Sequence, residues 1–207
     1  MVPNDQSLNV TVYRIMKSVK RKTIESTPFG PIVVVWSEAD DIVRVIRVFL
    51  SDPTETALKK IEKTYPEIHE ASCEEINSLT SNMLRLLEGE SVDFSLDIAD
   101  LSICGKFQQR VLRAEHAIPG GQVSTYKIIA VHLGVPKGSR AVGNALANNP
   151  FPLIIPCHRA IRSDLTLGGY QGGLGMKQAL LSSEGIIFND SGKVKCTHLY
   201  YQNDIRR

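Results

Sequence analysis

A thiol and an imidazole are neighbours at Cys157 and His158, and this pair could carry out nucleophilic chemistry. A cysteine reacts as its thiolate, which a nearby base or cation makes available near neutral pH. The apolar run Ile154-Ile155 predicts a buried strand, and Pro156 has no amide hydrogen to continue strand pairing. We therefore expect Cys157 to face a cavity. For this pair alone, an inert buried cysteine beside an unrelated histidine is the alternative.

Length and composition narrow the class of protein. The 207 residues are 43% hydrophobic and 22% charged, which suits a globular protein of one large or two small domains. The apolar run 31–36 is too short to cross a bilayer, and residues 1–5 lack the layout of a signal peptide, so we expect no membrane association and a cytoplasmic location. The four cysteines are widely spaced, at Cys73, Cys104, Cys157 and Cys196. This spacing predicts neither disulfides nor a metal site.

Charge is distributed unevenly along the chain. Residues 1–100 carry 11 Lys/Arg and 17 Asp/Glu, a net charge of −6, whereas residues 101–207 carry 13 and 5, a net charge of +8. This division indicates that the second half contacts a polyanion, with ordinary surface variation as the alternative.

The first half predicts an antiparallel sheet with helices. Short β-branched runs between tight turns predict strands over residues 9–16, 32–36 and 42–50, and one more strand over 92–98. Apolar residues at three- and four-residue spacing predict helices over 54–64 and 73–87. No chemistry-bearing cluster stands out, so residues 1–98 are interpreted as a cover domain, and residues 99–207 as a mostly helical second domain. The fold class expected is α/β (α+β).

The second half predicts helices that could contact nucleic acid. One helix is expected over 107–116, a second is opened by Ser124 and stopped by Gly134, and a third runs over 140–148 with Ser139 as its N-cap. The last two resemble a helix-turn-helix. Small side chains, Ala141 and Gly143 among them, make the third helix slim enough for a minor groove, with tight helix packing as the alternative.

Several runs in this half together resemble one family. They are 140–150, 155–159, 168–173 and 180–185, with Phe107-Gln108-Gln109-Arg110-Val111 and Ile118-Pro119 upstream. The series is similar to the O6-alkylguanine-DNA alkyltransferases, also called methylated-DNA–protein-cysteine methyltransferases, over residues 105–187 without gaps. The first half matches only in architecture.

The resemblance implies a single-turnover repair protein without a metal or cofactor, acting as a monomer. It would bind double-stranded DNA through the minor groove, flip out O6-alkylguanine (or O4-alkylthymine), and transfer the alkyl group to Cys157. Its location would be the nucleoid of a prokaryote or the nucleus of a eukaryote.

Catalytic roles follow from the same resemblance. His158 would deprotonate Cys157 through a water, and Glu184 would hold the other imidazole nitrogen. Asn149 would connect the helix-turn-helix to the site, and Tyr126 would donate a proton to the leaving guanine. Judged without the family, Glu184 could be a solvated helix-end carboxylate and Tyr126 a core tyrosine.

Binding roles are implied in the same way. Arg140 would fill the gap left by the flipped base, with a surface arginine near a phosphate as the alternative. Lys127, Ser163 and Tyr126 would lie near phosphates, and Ala141 and Gly143 would lie on the DNA-facing helix. The base pocket would comprise Tyr170, Gln171, Ala160 and Pro152. Gln171 replaces a serine, alanine or arginine that is common there, and Leu112 replaces a common tryptophan.

Three other functions fit parts of this pattern. A damage-recognition protein on the same scaffold would bind without transfer, although such relatives commonly lack the cysteine. A helix-turn-helix regulator would need more base-reading side chains than residues 140–148 provide. A cysteine hydrolase using Cys157, His158 and Glu184 would turn over repeatedly, whereas a thioether on Cys157 is final.

Overall fold

The structure is a computed structural model that describes residues 19–196 and 198–203. The strand predicted over residues 9–16 lies outside this part of the chain. Within the described residues, no helix has the length and apolar character needed to cross a membrane.

A four-stranded sheet forms the first half, in the order β3-β2-β1-β4. Strands β1 (Lys20–Ile24), β2 (Ile32–Ala39) and β3 (Ile42–Leu50) are antiparallel, and β4 (His69–Glu70) adds in parallel beside β1. The β2–β3 hairpin turns at Asp40 and Asp41, whose φ values are 51° and 60°. Aspartate tolerates this left-handed region of backbone conformation better than most residues. The antiparallel sheet expected from the β-branched runs is confirmed.

The two faces of β2 contact different layers, as strand alternation dictates. Val33 and Val35 pack with helix α1 (Ala57–Thr64), whereas Val34 and Trp36 face the main core together with helix α2 (Glu74–Leu87). Helix α1 begins at Ala57 and not at residue 54. Asp52 accepts hydrogen bonds from the backbone amides of the two residues that follow Pro53, which form a turn, and Thr56 caps the helix by accepting from the Lys59 amide. The sheet therefore lies between α1 and α2.

The strand predicted over residues 92–98 is wrong. This segment is irregular and ends in a 3₁₀ turn, Leu96–Ile98. The Ser95 hydroxyl accepts a hydrogen bond from the Asp97 amide at 3.2 Å, and such local side-chain bonds compete with strand pairing. Val92 and Phe94 still pack against the core.

Short strands and helices alternate in the second half. The helices are α3 (Lys106–His116), α4 (Tyr126–His132), α5 (Ser139–Ala147) and α6 (Gly173–Ser183). The strands are β5 (Ser124–Thr125), which pairs in parallel with β6 (Ala160–Ile161), and β7 (Ile187–Phe188), which pairs with β8 (Val194–Lys195). Helices α4 and α5 pack against each other, which is consistent with a helix-turn-helix.

Two predicted helix caps are corrected. Ser124 lies in β5, where its hydroxyl donates to the carbonyl of Tyr200, and Thr125 caps α4 by accepting a hydrogen bond from the Ile128 amide at 3.1 Å. Ser139 lies inside α5, which begins after Gly138 without a side-chain cap. Gly134 ends α4 with a φ of +74°, as predicted.

The strand predicted at Ile154-Ile155 is also wrong. Residues 151–160 are all buried, but they form a turning segment in which the Ile155 amide bonds to the carbonyl of Phe151 at 2.8 Å. Prolines at 150, 152 and 156 remove three of the amides that a ladder would need, and Leu153 has a φ of +74°. A tight, buried segment therefore leads into Cys157.

One hydrophobic core joins the two halves. It includes Trp36 from the sheet, Leu112 from α3 and Phe151 from the segment before Cys157. The edge strand β3 also bonds to the second half, because the Val48 amide donates to the carbonyl of Pro150 at 2.8 Å. The domain boundary between residues 98 and 99 stays a prediction.

Candidate active site

Cys157 opens a 3₁₀ turn, Cys157–Arg159, at the floor of a cavity of about 390 Å³. Its side chain is 5% exposed. One wall comes from α4 and α5 through Tyr126, Gly143 and neighbouring residues, and the other comes from loop 168–171. The expectation that this thiol faces a cavity is confirmed.

The resting form of Cys157 is the neutral thiol. Burial raises its pKa to about 11 from an ordinary value of 9.0, a hydrogen bond with the Asn149 side chain lowers it in part, and the Glu115 carboxyl raises it further. Thiolate is thus scarce at neutral pH, and reaction requires a partner that takes the proton.

Asn149 connects the end of α5 to the segment before the cysteine. Its Nδ2 donates to the carbonyl of Ile155 at 3.1 Å, and its Oδ1 accepts from the amide of Phe151 at 2.9 Å. The side chain is 1% exposed, so these bonds fix its orientation. Its own carbonyl accepts from Nε2 of Gln171 at 2.7 Å, which ties the cavity loop to the same point.

A buried chain of charges runs behind Cys157. The Nε2 atom of His158 lies 2.9 Å from Oε1 of Glu184, and Arg159 holds the same carboxylate through Nε at 3.0 and 3.1 Å and through Nη2 at 2.7 Å. Burial opposes ionisation of Glu184, but the hydrogen bonds from His158 and Arg159 outweigh it and lower the pKa to about 2. Glu184 is therefore a carboxylate at any physiological pH.

The charge of Glu184 sets the tautomer of His158. A carboxylate only accepts hydrogen bonds, so Nε2 carries the ring proton and Nδ1 keeps a lone pair. Burial lowers the pKa of His158, partly opposed by Glu184, so the ring is neutral near pH 7. Nδ1 is buried and has no hydrogen-bond partner among the described residues. The imidazole is thus prepared to accept one proton.

Two tyrosines line the cavity beside the cysteine. Burial raises the pKa of Tyr126 to about 12, with further contributions from Glu115 and Cys157, so this hydroxyl keeps its proton. A Cβ at Gly168 would lie 2.8 Å from the Tyr126 hydroxyl oxygen, and Gly168 has a φ of +70°, so the loop passes close only because this residue is glycine. Tyr170 packs edge-on against His158, with ring centroids 6.1 Å apart.

Not every residue predicted for the base pocket reaches the cavity. Tyr170 and Gln171 line it, whereas Ala160 and Pro152 are buried and lie outside its lining. The carbonyl of Ala160 accepts from Nζ of Lys177 at 2.7 Å. A base that donates a hydrogen bond to the Ala160 carbonyl must therefore share that carbonyl with Lys177.

Most of the residues predicted to contact DNA lie on the surface of the protein. Arg140, Ala141, Lys127 and Ser163 are all exposed, and none of them is part of the cavity lining. Gly143 does line the cavity, and a Cβ built there meets no atom within 4 Å. This open space contradicts tight helix packing as the reason for the glycine.

Sequence reasoning did not assign roles to several residues of the site. Arg159 appeared only within a motif, yet it is the clamp on Glu184 and also donates to the carbonyl of Ile118 at 2.6 Å. Arg162 lines the cavity, and Glu115 and Lys177 lie buried near the thiol. Charged residues on separate helices and turns give no signal in the sequence that the fold brings them together. Across the described residues, no group of three or more potential metal ligands occurs.

Glu184 should also contribute to stability in a pH-dependent way. Its folded pKa is depressed from 4.5 to about 2, so its contribution is complete above pH 4.5 and is lost as pH falls through about 2. The shift corresponds to about 3 kcal/mol. We expect Glu184→Gln to be less stable at pH 7 and this difference to shrink by that amount between pH 4.5 and 2, measured by urea unfolding. The exposed control Glu62→Gln should show no such change, and a difference independent of pH would contradict the assignment.

Comparisons with known proteins identify the family of this chain. The model of the 6-O-methylguanine DNA methyltransferase DNA-binding domain matches residues 106–186. The constitutive methylated-DNA–protein-cysteine methyltransferase of Bacillus subtilis is 33% identical over 81% of this chain and 97% of its own. The methylated-DNA–protein-cysteine methyltransferase of Mycolicibacterium paratuberculosis is 33% identical, over 73% of this chain and 93% of its own. The Methanothermobacter thermautotrophicus protein is 46% identical, over 54% of this chain and 62% of its own.

Solved structures show the same fold. The Mycobacterium tuberculosis O6-methylguanine methyltransferase aligns with a TM-score of 0.64 and 29% identity, over 80% of this chain and 92% of that one. The Mycobacterium tuberculosis OGT in complex with DNA aligns over the same shares, with a TM-score of 0.61 and 30% identity. The expected fold class is confirmed. Because the match to the Bacillus subtilis protein spans nearly that entire protein, the chain belongs to the methylated-DNA–protein-cysteine methyltransferases, the direct-reversal DNA repair family that its motifs resemble.

Proposed function

We propose that this chain repairs O6-alkylguanine in double-stranded DNA by transferring the alkyl group to Cys157 in a single turnover. One observation carries the proposal. A thiol on the floor of an open cavity is followed in the chain by an imidazole whose Nδ1 is unprotonated and unpaired, while Nε2 is held by an ionised carboxylate. This arrangement produces a thiolate when a substrate fills the cavity.

The first step is removal of the thiol proton. His158 accepts it at Nδ1, through a water because side chains of adjacent residues cannot easily meet. Glu184 then stabilises the imidazolium, and Arg159 keeps Glu184 ionised and oriented. Asn149 assists by its hydrogen bond to the thiol, which favours the charged form.

The second step is displacement at the alkyl carbon. The Cys157 sulfur forms a bond to that carbon, the carbon–O6 bond breaks, and its electron pair remains on the guanine. Tyr126 donates its hydroxyl proton to the base, so the leaving group departs neutral. A thioether has no leaving group for water to displace under these conditions, so the protein is consumed.

Helices α4 and α5 are proposed to face the minor groove of double-stranded DNA. The Mycobacterium tuberculosis relative was solved in complex with DNA, which supports a DNA partner for this chain. Arg140 would fill the gap that the flipped base leaves in the base stack. The small side chains of Ala141 and Gly143 would let α5 approach the floor of the minor groove closely. Lys127 and Ser163 would contact phosphates, which position the protein without reading sequence.

The flipped base would lie between loop 168–171 and α5. Tyr170 would form one wall, and the backbone amide of Gln171 would face the guanine oxygen. Ala160 and Pro152, which lie outside the cavity lining, would contribute to the base pocket only through the backbone. The side chain of Gln171 is committed to the carbonyl of Asn149, so it holds the loop in place.

The remaining proposals concern the setting of the reaction. The protein would act as a monomer without a metal or cofactor, because every chemical step uses its own side chains. It would act where the genome is, in the cytoplasm of a prokaryote or the nucleus of a eukaryote.

Intact-protein mass after incubation with duplex DNA carrying O6-methylguanine tests this function. We expect a stoichiometric gain of one methyl group that peptide mapping confines to Cys157. Cys157→Ala should bind the same DNA and gain no mass. Binding by the wild type without a mass change would instead indicate a damage-recognition protein.

Gly143→Ala separates the stability of α5 from its function. Alanine should stabilise the helix by about 0.5–1 kcal/mol, since glycine is the poorer helix former and the new methyl meets no protein atom. The methyl would extend toward the cavity, so we expect transfer to slow about tenfold, equivalent to a clash of about 1–3 kcal/mol. Gly175→Ala on α6, which also meets nothing, is the matched control. Equal transfer rates in the two variants would exclude close contact at Gly143.

Arg140→Ala tests the stack-filling role. Unstacking a base costs a few kcal/mol, so we expect transfer from duplex DNA to slow about tenfold. Reaction with free O6-benzylguanine needs no flipping and should change less than about twofold. Lys59→Ala on α1, which removes one exposed positive charge elsewhere, should leave both rates unchanged. Equal losses on both substrates for Arg140→Ala would argue against this role.

A further inference from the structure

Arg162 lines the cavity together with Tyr126, and the mechanism above gives it no role. The pairing of two short strands brings these residues together. Thr125 of β5 pairs with Ile161 of the parallel strand β6, and Tyr126 and Arg162 are the residues that follow directly in each chain segment. Paired strands lie about 4.8 Å apart, so the fold starts the phenol and the guanidinium side chains from neighbouring points.

Gly168 of the cavity loop lies against both of these side chains. A Cβ built on Gly168 would lie 2.8 Å from the hydroxyl oxygen of Tyr126 and 3.5 Å from Cγ of Arg162. The hydroxyl oxygen and the arginine Cγ are therefore close to one common point. Because the guanidinium extends further than Cγ along the side chain, it is within reach of the Tyr126 oxygen across this glycine.

A tight turn fixes the backbone of Arg162 but leaves its side chain uncommitted. Its amide donates to the carbonyl of Thr166 at 2.9 Å, and its carbonyl accepts from the amide of Leu165 at 3.0 Å. The Asp164 carboxylate closes the same turn by accepting from the Thr166 amide at 3.1 Å. Among the described residues, the guanidinium itself has no hydrogen bond or ion pair. Its charge is therefore available to the cavity.

The surroundings of Tyr126 otherwise oppose loss of its proton. Burial raises the pKa of this phenol to about 12, and Glu115 from α3 and Cys157 from the reactive turn raise it further. Arg162 lowers the pKa, because a nearby cation favours the charged form of a phenol. Of the charged groups that act on this hydroxyl, Arg162 is thus the one that favours the phenolate.

We propose that Arg162 is a positioning residue that acts through Tyr126, because its guanidinium stabilises the phenolate that forms when the hydroxyl gives its proton to the departing guanine. The sulfur–carbon bond forms, the carbon–O6 bond breaks, and the proton from Tyr126 neutralises the electron pair left on the base. Water then returns a proton to the phenolate, and the imidazolium of His158 gives the thiol proton to water, so the protons balance. The inference rests on the proposed alkyl transfer.

Arg162→Gln removes the charge and keeps a polar side chain. We expect the maximal single-turnover rate with free O6-benzylguanine to fall about three- to tenfold, since a tenfold change corresponds to one pKa unit and solvent screens part of the charge. The concentration that gives half the maximal rate should stay the same, because the charge acts on the departure of the base and not on its binding. Arg162→Lys keeps the charge and should restore most of the rate.

A second background isolates the effect on Tyr126. In Tyr126→Phe, the further change Arg162→Gln should alter the rate by less than about twofold, because no phenolate can form there. The control Arg113→Gln removes an exposed arginine on α3 and should leave the rate unchanged. Each variant is also assayed with duplex DNA carrying O6-methylguanine. If thermal unfolding shows that Arg162→Gln does not fold, Arg162→Met takes its place.

The outcomes separate this role from the alkyl transfer itself. An equal loss in the Tyr126→Phe background overturns the role, and so does a loss confined to duplex DNA, which would indicate a phosphate contact instead. Fluorine NMR of the protein containing 3-fluorotyrosine follows the ionisation of Tyr126 without any transfer, and Arg162→Gln should raise the pKa of Tyr126. An unchanged pKa overturns the role. A raised pKa in a protein whose wild type transfers no alkyl group supports the pairing of Arg162 with Tyr126 and overturns the proposed transfer.

Discussion

The geometry of the site depends on the hydrogen-bonded ion pair between Arg159 and Glu184. Arg159 lies in the same short turn as the thiol and the imidazole, and it spans from the carbonyl of Ile118, after α3, to Glu184, at the end of α6. Three of its nitrogens have acceptors, so the turn has few alternative conformations. Burying charges is expensive, and a buried pair is retained at little net gain in stability. Its effect here is to fix where Cys157 and His158 point.

The N-terminal sheet supports the same turn from the other side. The Pro150 carbonyl accepts from the Val48 amide of β3, and the proline-rich segment from 150 to 156 is packed entirely inside the core. Prolines restrict this segment even before packing, because they fix φ and remove donors. The sheet is therefore part of the framework that presents the cysteine, although it contributes no residue to the cavity beside Cys157.

The sequence predicted some parts of the molecule more accurately than others. Helices with clear apolar spacing, such as residues 74–87 and 106–116, were predicted within a few residues, because a single face decides them. The segments at 92–98 and 154–155 were predicted as strands and are not, since local hydrogen bonds and prolines outweigh β propensity. The thiol of Cys157 and the imidazole of His158 were predicted as site groups because they are adjacent residues of one motif. The contacts of Arg159 and Lys177 could not be predicted, because they join segments that are distant in the sequence.

Burial of the thiol has a consequence for a protein that reacts once. A cysteine with a pKa of about 11 is almost entirely protonated at neutral pH, so electrophiles that enter the cavity find little thiolate. In the proposed mechanism, thiolate forms when His158, which is hydrogen-bonded to Glu184, takes the thiol proton. An exposed cysteine with a low pKa would react faster with any alkylating agent and would be consumed without repair. The same burial that suppresses the thiolate therefore preserves the single reaction for a substrate that fills the pocket.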